Sequence, residues 1–105
     1  MPRQIAFRMN LFPGRAAEYR KRHDEIFPEL KAALKDVGVS DYSIWLDPEA
    51  NHLFGILTLS DDNTLDRLPE KAIMMRWWAH MADIMATDAD NVPVQINLQR
   101  VFHLQ

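Results

Sequence analysis

Residues 41–60 read DYSIWLDPEANHLFGILTLS, and this stretch sets the architecture. Asp41 to Leu46 and His52 to Ser60 each run at a period of two with β-favouring side chains, so both read as strands. Asp47-Pro48-Glu49-Ala50-Asn51 between them is turn chemistry, which predicts a β-hairpin. On the second of these strands Leu53, Gly55, Leu57 and Leu59 share one face, and Phe54 and Ile56 share the other. On the first, Tyr42, Ile44 and Leu46 oppose Trp45. A sheet covered on one side only alternates apolar with polar residues. Apolar residues on both faces therefore predict a second cover, and in a chain of 105 residues a second copy is the simplest one. A homodimer is expected, with Ile44 and Ile56 as candidate interface residues.

Outward from the hairpin, Gln4 to Leu11 alternates strictly. Ile5, Phe7, Met9 and Leu11 lie on one side, with Ala6, Arg8 and Asn10 on the other, as in a half-buried strand. Pro13-Gly14 ends it. A helix is predicted from about Arg15 to Val37, closed by Gly38. Pro28 interrupts this helix, because it lacks a donor and disfavours helical geometry at Phe27. The expectation is a kink or two helices end to end. After the hairpin, Ser60-Asp61-Asp62-Asn63 supplies N-cap residues for a helical region reaching Met85, punctuated by Pro69. Val94 to Leu104 reads as the last strand. The order β-α-β-β-α-β predicts an α+β fold, a ferredoxin-like sandwich with the helices on one face of an antiparallel sheet. Residues 1–105 read as a single domain.

Twelve basic and fifteen acidic residues give a formal net charge of -3, without the concentrated basic surface of a nucleic-acid binder. Arg15, Arg20, Lys21 and Arg22 are interleaved with Glu18, Asp24 and Glu25, which reads as solvated helix surface. The absence of cysteine excludes a thiolate nucleophile and a cysteine metal site. MPRQIAFRMN carries no apolar signal segment, and no stretch approaches the ~18 apolar residues that span a bilayer. A cytoplasmic protein without membrane contact is expected.

Within EYRKRHDEIFPEL, residues 18–30, the apolar stripe Tyr19, Ile26, Phe27, Leu30 contains His23. Positions four apart share a helix face, so Tyr19 and His23 project inward together. A packed histidine satisfied by its neighbours and a catalytic one both fit this position. Two polar tips on an apolar stripe need mutual satisfaction or a ligand. Trp77 and Trp78 diverge by about 100° on a helix, so one is expected in the core and the other along a cleft. Tyr42 opens a strand, where it suits either packing or ligand contact. No HExxH spacing, GxGxxG, GxxxxGKS/T or GxSxG is present, so metal ligation, phosphate cradles and a serine elbow have no motif behind them. The residues suit proton transfer without a cofactor.

Taken together, YRKRHDEIFPEL, DYSIWLD, RWWAHMADIM and NVPVQINLQRVFHL resemble the L-rhamnose mutarotase family over nearly the whole chain. The resemblance implies a dimeric α/β barrel that interconverts the α and β anomers of L-rhamnose with no cofactor and no metal. It assigns proton transfer to His23 and sugar contact to Tyr19, Tyr42, Trp77 and Trp78. The segment His23-Asp24-Glu25-Ile26-Phe27-Pro28 departs from the family's frequent H-N-P-I-W-P, and Arg100 stands where an acidic residue is frequent. Two rival readings share these residues: a cofactor-free or haem-degrading monooxygenase of the same barrel group, and a non-catalytic sugar-binding module.

Overall fold

The computed structural model describes residues 1–105. Its elements are β1 (Arg3–Asn10), α1 (Ala16–Asp24), α2 (Pro28–Asp36), β2 (Val39–Asp47), β3 (His52–Leu59), a 3₁₀ turn (Leu65–Glu70), α3 (Ala72–Met81) and β4 (Gln95–Asn97). The four strands form one antiparallel sheet in the order β2-β3-β1-β4. This is the ferredoxin-like order that the sequence predicts.

Pro28 divides the first helical region completely. Phe27, at φ -58° and ψ 127°, has left the helical region, as the residue before a proline must when Cδ crowds its backbone. Pro28 then occupies the first turn of α2, where its missing N–H has no partner to lose. The break frees α1 to take its own direction, and α1 carries Tyr19 and His23. Gly38, at φ +97°, ends the second helix in the left-handed region that glycine enters without strain. In the hairpin turn, the Asp47 carboxylate accepts from the backbone N–H groups of Glu49 and Ala50 at 3.0 and 3.4 Å, the local bond that favours aspartate in turns.

Register decides the faces. Phe7 pairs with Gly55, Met9 with Leu53, and Ile44 also with Gly55. These residues face the helices, and Phe7, Met9, Leu53, Leu57 and Leu59 join Leu30, Met81 and Ile84 in one buried cluster. A Cβ on Gly55 would come within 2.5 Å of the Phe7 ring, so the missing side chain is what lets that ring lie across the sheet. Trp45 pairs with Phe54 and Ser43 with Ile56, on the opposite face. Ile44 is therefore no candidate for an interface on the open side, because it shares the helix face with Leu46 and Leu53. Ile56 and Trp45 lie on the open side, and Trp45 is 67% exposed. Arg8, opposite Phe54 and Ile96, joins them there, with an Nε shielded from solvent and without a hydrogen-bond partner in its own chain.

Two predicted elements are shorter than their sequence pattern. The second helical region is split at Lys71, which is extended at φ -80° and ψ 131°, so Pro69 falls in the 3₁₀ turn and α3 begins afresh at Ala72. The last strand is ordered as β only at Gln95–Asn97, not over Val94 to Leu104. Asn97 pairs with Phe7 and Gln95 with Met9. Carried on, that antiparallel register reaches the first residue of β1, Arg3, at about Val101, so Phe102 to Leu104 have no strand left to pair with. Phe102 and Leu104 are 77% and 80% exposed.

Candidate active site

Between the sheet and the helices lies a cavity of about 990 Å³, lined mainly by hydrophobic side chains. The five residues singled out from sequence, Tyr19, His23, Tyr42, Trp77 and Trp78, all border it. α1 supplies the first two, β2 the third and α3 the tryptophans.

Tyr19 and His23 stack, with ring centroids 4.3 Å apart and planes 29° from parallel, as the one-turn spacing requires. His23 Nδ1 lies 3.0 Å from the Tyr19 carbonyl oxygen. A carbonyl only accepts, so Nδ1 is the protonated nitrogen and Nε2 carries the free lone pair. Burial disfavours the imidazolium and lowers the His23 pKa from its ordinary value, partly opposed by the Tyr19 carbonyl and the Asp24 carboxylate. The resting histidine is thus a neutral base of fixed tautomer. Its ring meets Trp77 edge to face at 5.2 Å.

Adjacent tryptophans diverge as helix geometry demands. Trp77 is buried at 6% exposure and also meets Phe27 edge to face at 5.2 Å, whereas Trp78 packs partly buried against the core. On the sheet side, the Tyr42 ring lies 6.2 Å from Phe7. A register shift between Ser40 and Ser43 and the left-handed backbone of Asp41, at φ +47°, precede it. Such bulges re-aim side chains near functional sites. Tyr19 is buried, and that burial, with the Tyr42 phenol adding to it, pushes its pKa well above the usual tyrosine range. Tyr42 is 38% exposed, but its hydroxyl is desolvated enough to be pushed up to about 12. Both phenols stay protonated near neutrality and so keep a hydroxyl proton that a ligand oxygen could accept.

The sequence pattern missed three participants. Phe7 and Phe27 read as plain core residues, yet one backs Tyr42 and the other backs Trp77. Arg22 does not belong to a solvated face. Its side chain is 14% exposed, and it reaches across to Asp83, 61 positions away. Only its spacing of four from Glu18 was a local signal. No group of three or more His, Asp or Glu side chains converges, and no helix is long and apolar enough to cross a membrane.

Fold and cavity together define a ferredoxin-like α+β protein with an aromatic pocket around one neutral histidine. Comparison with known proteins takes this further. Residues 4–104 match the family model described as L-rhamnose mutarotase, so the chain belongs to the L-rhamnose mutarotase family. It is 61% identical over 102 residues to the L-rhamnose mutarotase of Rhizobium meliloti, covering 97% of this chain and 98% of that one. The L-rhamnose mutarotase of Acidiphilium cryptum is 58% identical, covering 96% and 97%. The crystal structure of an L-rhamnose mutarotase from Formosa agariphila superposes with a TM-score of 0.91 at 45% identity, covering 98% of this chain and 99% of that one. A Mycobacterium tuberculosis protein with a TM-score of 0.61 and 11% identity, covering both chains fully, shares the fold alone.

Proposed function

We propose that the protein is a cytoplasmic, cofactor-free mutarotase that interconverts the α and β anomers of L-rhamnose, acting as one domain, with His23 as its proton-transfer group. The observation that carries this reading is the geometry of His23. Its Nδ1 is committed to the Tyr19 carbonyl, its basicity is kept low by burial, and its ring sits between Tyr19 and Trp77 in a cavity bordered by the other four named residues.

The chemistry follows from where protons must go. Nε2 takes the proton of the anomeric hydroxyl, the C1–O5 bond breaks as C1=O1 forms, and the same proton passes to O5. Both oxygens are bonded to C1, so one imidazole nitrogen serves both. The product is the open-chain aldehyde and neutral His23 is restored. Rotation about C1–C2 presents the other carbonyl face, and the reverse steps close the ring as the opposite anomer. A base titrating near the working pH suits such a shuttle and contributes ~10²–10⁴-fold. Tyr19 and Tyr42 donate to sugar oxygens. Trp77 and Trp78 offer apolar surface to the ring C–H groups and the C5 methyl.

The working unit in this reading is a homodimer closed through the open face of the sheet. Supporting it are exposed Trp45, Ile96 and Leu98, at 67%, 49% and 40%, on the face of the sheet that no helix covers.

Net composition does not change at anomeric equilibrium, so the test is magnetization transfer between the α and β anomeric protons of L-rhamnose. Purified protein should accelerate exchange above the buffer rate with no added metal, nucleotide or oxygen. Exchange at the buffer rate would defeat the proposal.

A further inference from the structure

The two halves of the pocket belong to helices far apart in sequence, and one side chain outside the cavity lining bonds to both of their segments. Arg22, next to His23 on α1, donates through Nε to Glu18 at 2.8 Å. Its Nη1 donates to the His80 carbonyl at 2.6 Å and to Asp83 Oδ1 at 2.7 Å, and Nη2 donates to Asp83 Oδ2 at 3.2 Å. The His80 carbonyl belongs to the last turn of α3 (Ala72–Met81), where helix carbonyls lack an internal partner and a cation is favoured. Asp83 follows directly. We infer that Arg22 is a positioning residue, clamping α1 to the end of α3 so that His23 is held against Trp77.

An exposed ion pair usually contributes little, but three features set this one apart. The Arg22 side chain is 14% exposed although Glu18 and Asp83 are 40% and 65% exposed. The guanidinium grips Asp83 with two nitrogens, the fork geometry that lysine cannot reproduce. The clamp also acts at the right places. Glu18 and Arg22 flank Tyr19 and His23 on α1, and His80 lies one turn beyond Trp77. Hydrogen bonds from Arg22 hold both carboxylates below their ordinary ranges, so the network stays charged wherever the enzyme works. Phe27 and His80, 5.5 Å apart, pack around the same junction.

Loosening the clamp should separate binding from chemistry. The tryptophan platform stays whole on α3, so sugar still binds, while His23 drifts from the reacting carbon. Misplacement by about 1 Å can cost ~10²-fold in rate. The inference rests on the mutarotase reading, so its test has one arm that needs no activity. Arg22→Met and Asp83→Asn should each lower kcat about tenfold and change KM by less than about twofold. Combined, they should do no worse than Arg22→Met alone, since each removes the same contact. Arg22→Lys should recover part of kcat. In both single variants the nuclear Overhauser effect between the His23 ring and the Trp77 indole should weaken, with the circular dichroism of wild type retained. Asp83 is an exposed residue, so Asp83→Asn stays informative even where Arg22→Met folds poorly. Wild-type kcat and an unchanged His23–Trp77 effect in Asp83→Asn would overturn the clamp. So would parallel losses in kcat, sugar affinity and melting temperature. If wild type itself shows no anomer exchange, the mutarotase reading falls, and the magnetic contact alone decides the clamp.

Discussion

The two faces of the sheet are made of the same strands, residue by alternate residue, and they end in opposite conditions. On the helix side, Phe7, Met9, Leu53 and Leu57 are each 7% exposed or less, and the cavity sits among them. On the other side, Trp45 and Ile96 are left 67% and 49% exposed, with a shielded arginine Nε lacking a partner. Apolar alternation tells which side chains share a face. It does not tell which face finds its cover within the chain. Here the covered face carries the candidate chemistry, and the uncovered face is where a second copy would add most.

The sharpest way to test that division is to strike the chemistry on the covered face without disturbing its packing. His23→Ala should lower the anomer exchange rate by ~10²–10⁴-fold, the usual contribution of a placed acid or base, and leave the far-ultraviolet spectrum unchanged. Near-wild-type exchange would make His23 a packing residue.

Next come the adjacent tryptophans, which the covered face treats unequally. Trp77 is 6% exposed and Trp78 only partly buried. Trp77→Ala should cost ~3–5 kcal/mol of stability, the range for emptying a large aromatic from a core, and Trp78→Ala distinctly less. Both should weaken sugar binding. Urea unfolding and a sugar titration separate the two effects, and equal stability losses would contradict the placement.

On the open face, Ile56→Lys and Trp45→Lys should each turn dimer into monomer at micromolar concentration, because an unpaired ammonium buried at an interface is costly. The fold itself should survive, since neither residue belongs to the core cluster. Sedimentation velocity gives the answer directly. Dimers that persist through both changes would show that the open face is not the interface.

How much of this was legible beforehand follows the range of each interaction. The strands, the hairpin turn and the stacked Tyr19–His23 pair depend on neighbours within four or five positions, and their pattern is written locally. Pro28 announced a break, but whether it would kink or divide the helix depended on where α2 packs. The last strand failed for a non-local reason, since alternation marks faces and does not report where the ladder with β1 ends, here just past Asn97 with the Leu98 N–H on the Ala6 carbonyl. Arg22 failed likewise. Its surroundings on α1 are charged and look solvated, and Asp83 is brought to it only by the fold. Alternation groups Ile44 with Tyr42 and Leu46 and offers it for the open face, whereas the structure packs it against the core. Periodicity sorted the residues into two sets, and only the register with Gly55 told which set faces the helices.

The smallest effect expected is a pH dependence that belongs to the covered face alone. Burial lowers the His23 pKa below its ordinary value of 6.5, against the opposing influence of the Tyr19 carbonyl and Asp24. Between the folded and the unfolded pKa, the unfolded chain binds more protons at this site, so stability rises with pH through that window. Lowering the pH from neutral into the acid range should therefore erode stability as it falls below about 6.5, and the erosion should level off once the folded state is protonated as well. The carboxylates held low by Arg22, Glu18 and Asp83, act only below their own ordinary values of 4.5 and 3.8, so the first erosion, just below 6.5, belongs to His23. His23→Gln keeps a polar side chain without a titration and should remove the first component while leaving the second. The same pKa governs catalysis, because only neutral Nε2 takes the anomeric proton. The acid limb of kcat/KM, which reports the free enzyme, should lie below 6.5, displaced in the direction in which burial moves the histidine. Denaturant midpoints for both proteins at several pH values, beside the exchange rate of wild type, make the check. An acid limb above 6.5, or a stability profile that His23→Gln leaves unaltered, would mean that the imidazole is not the desolvated neutral base on which the covered face depends.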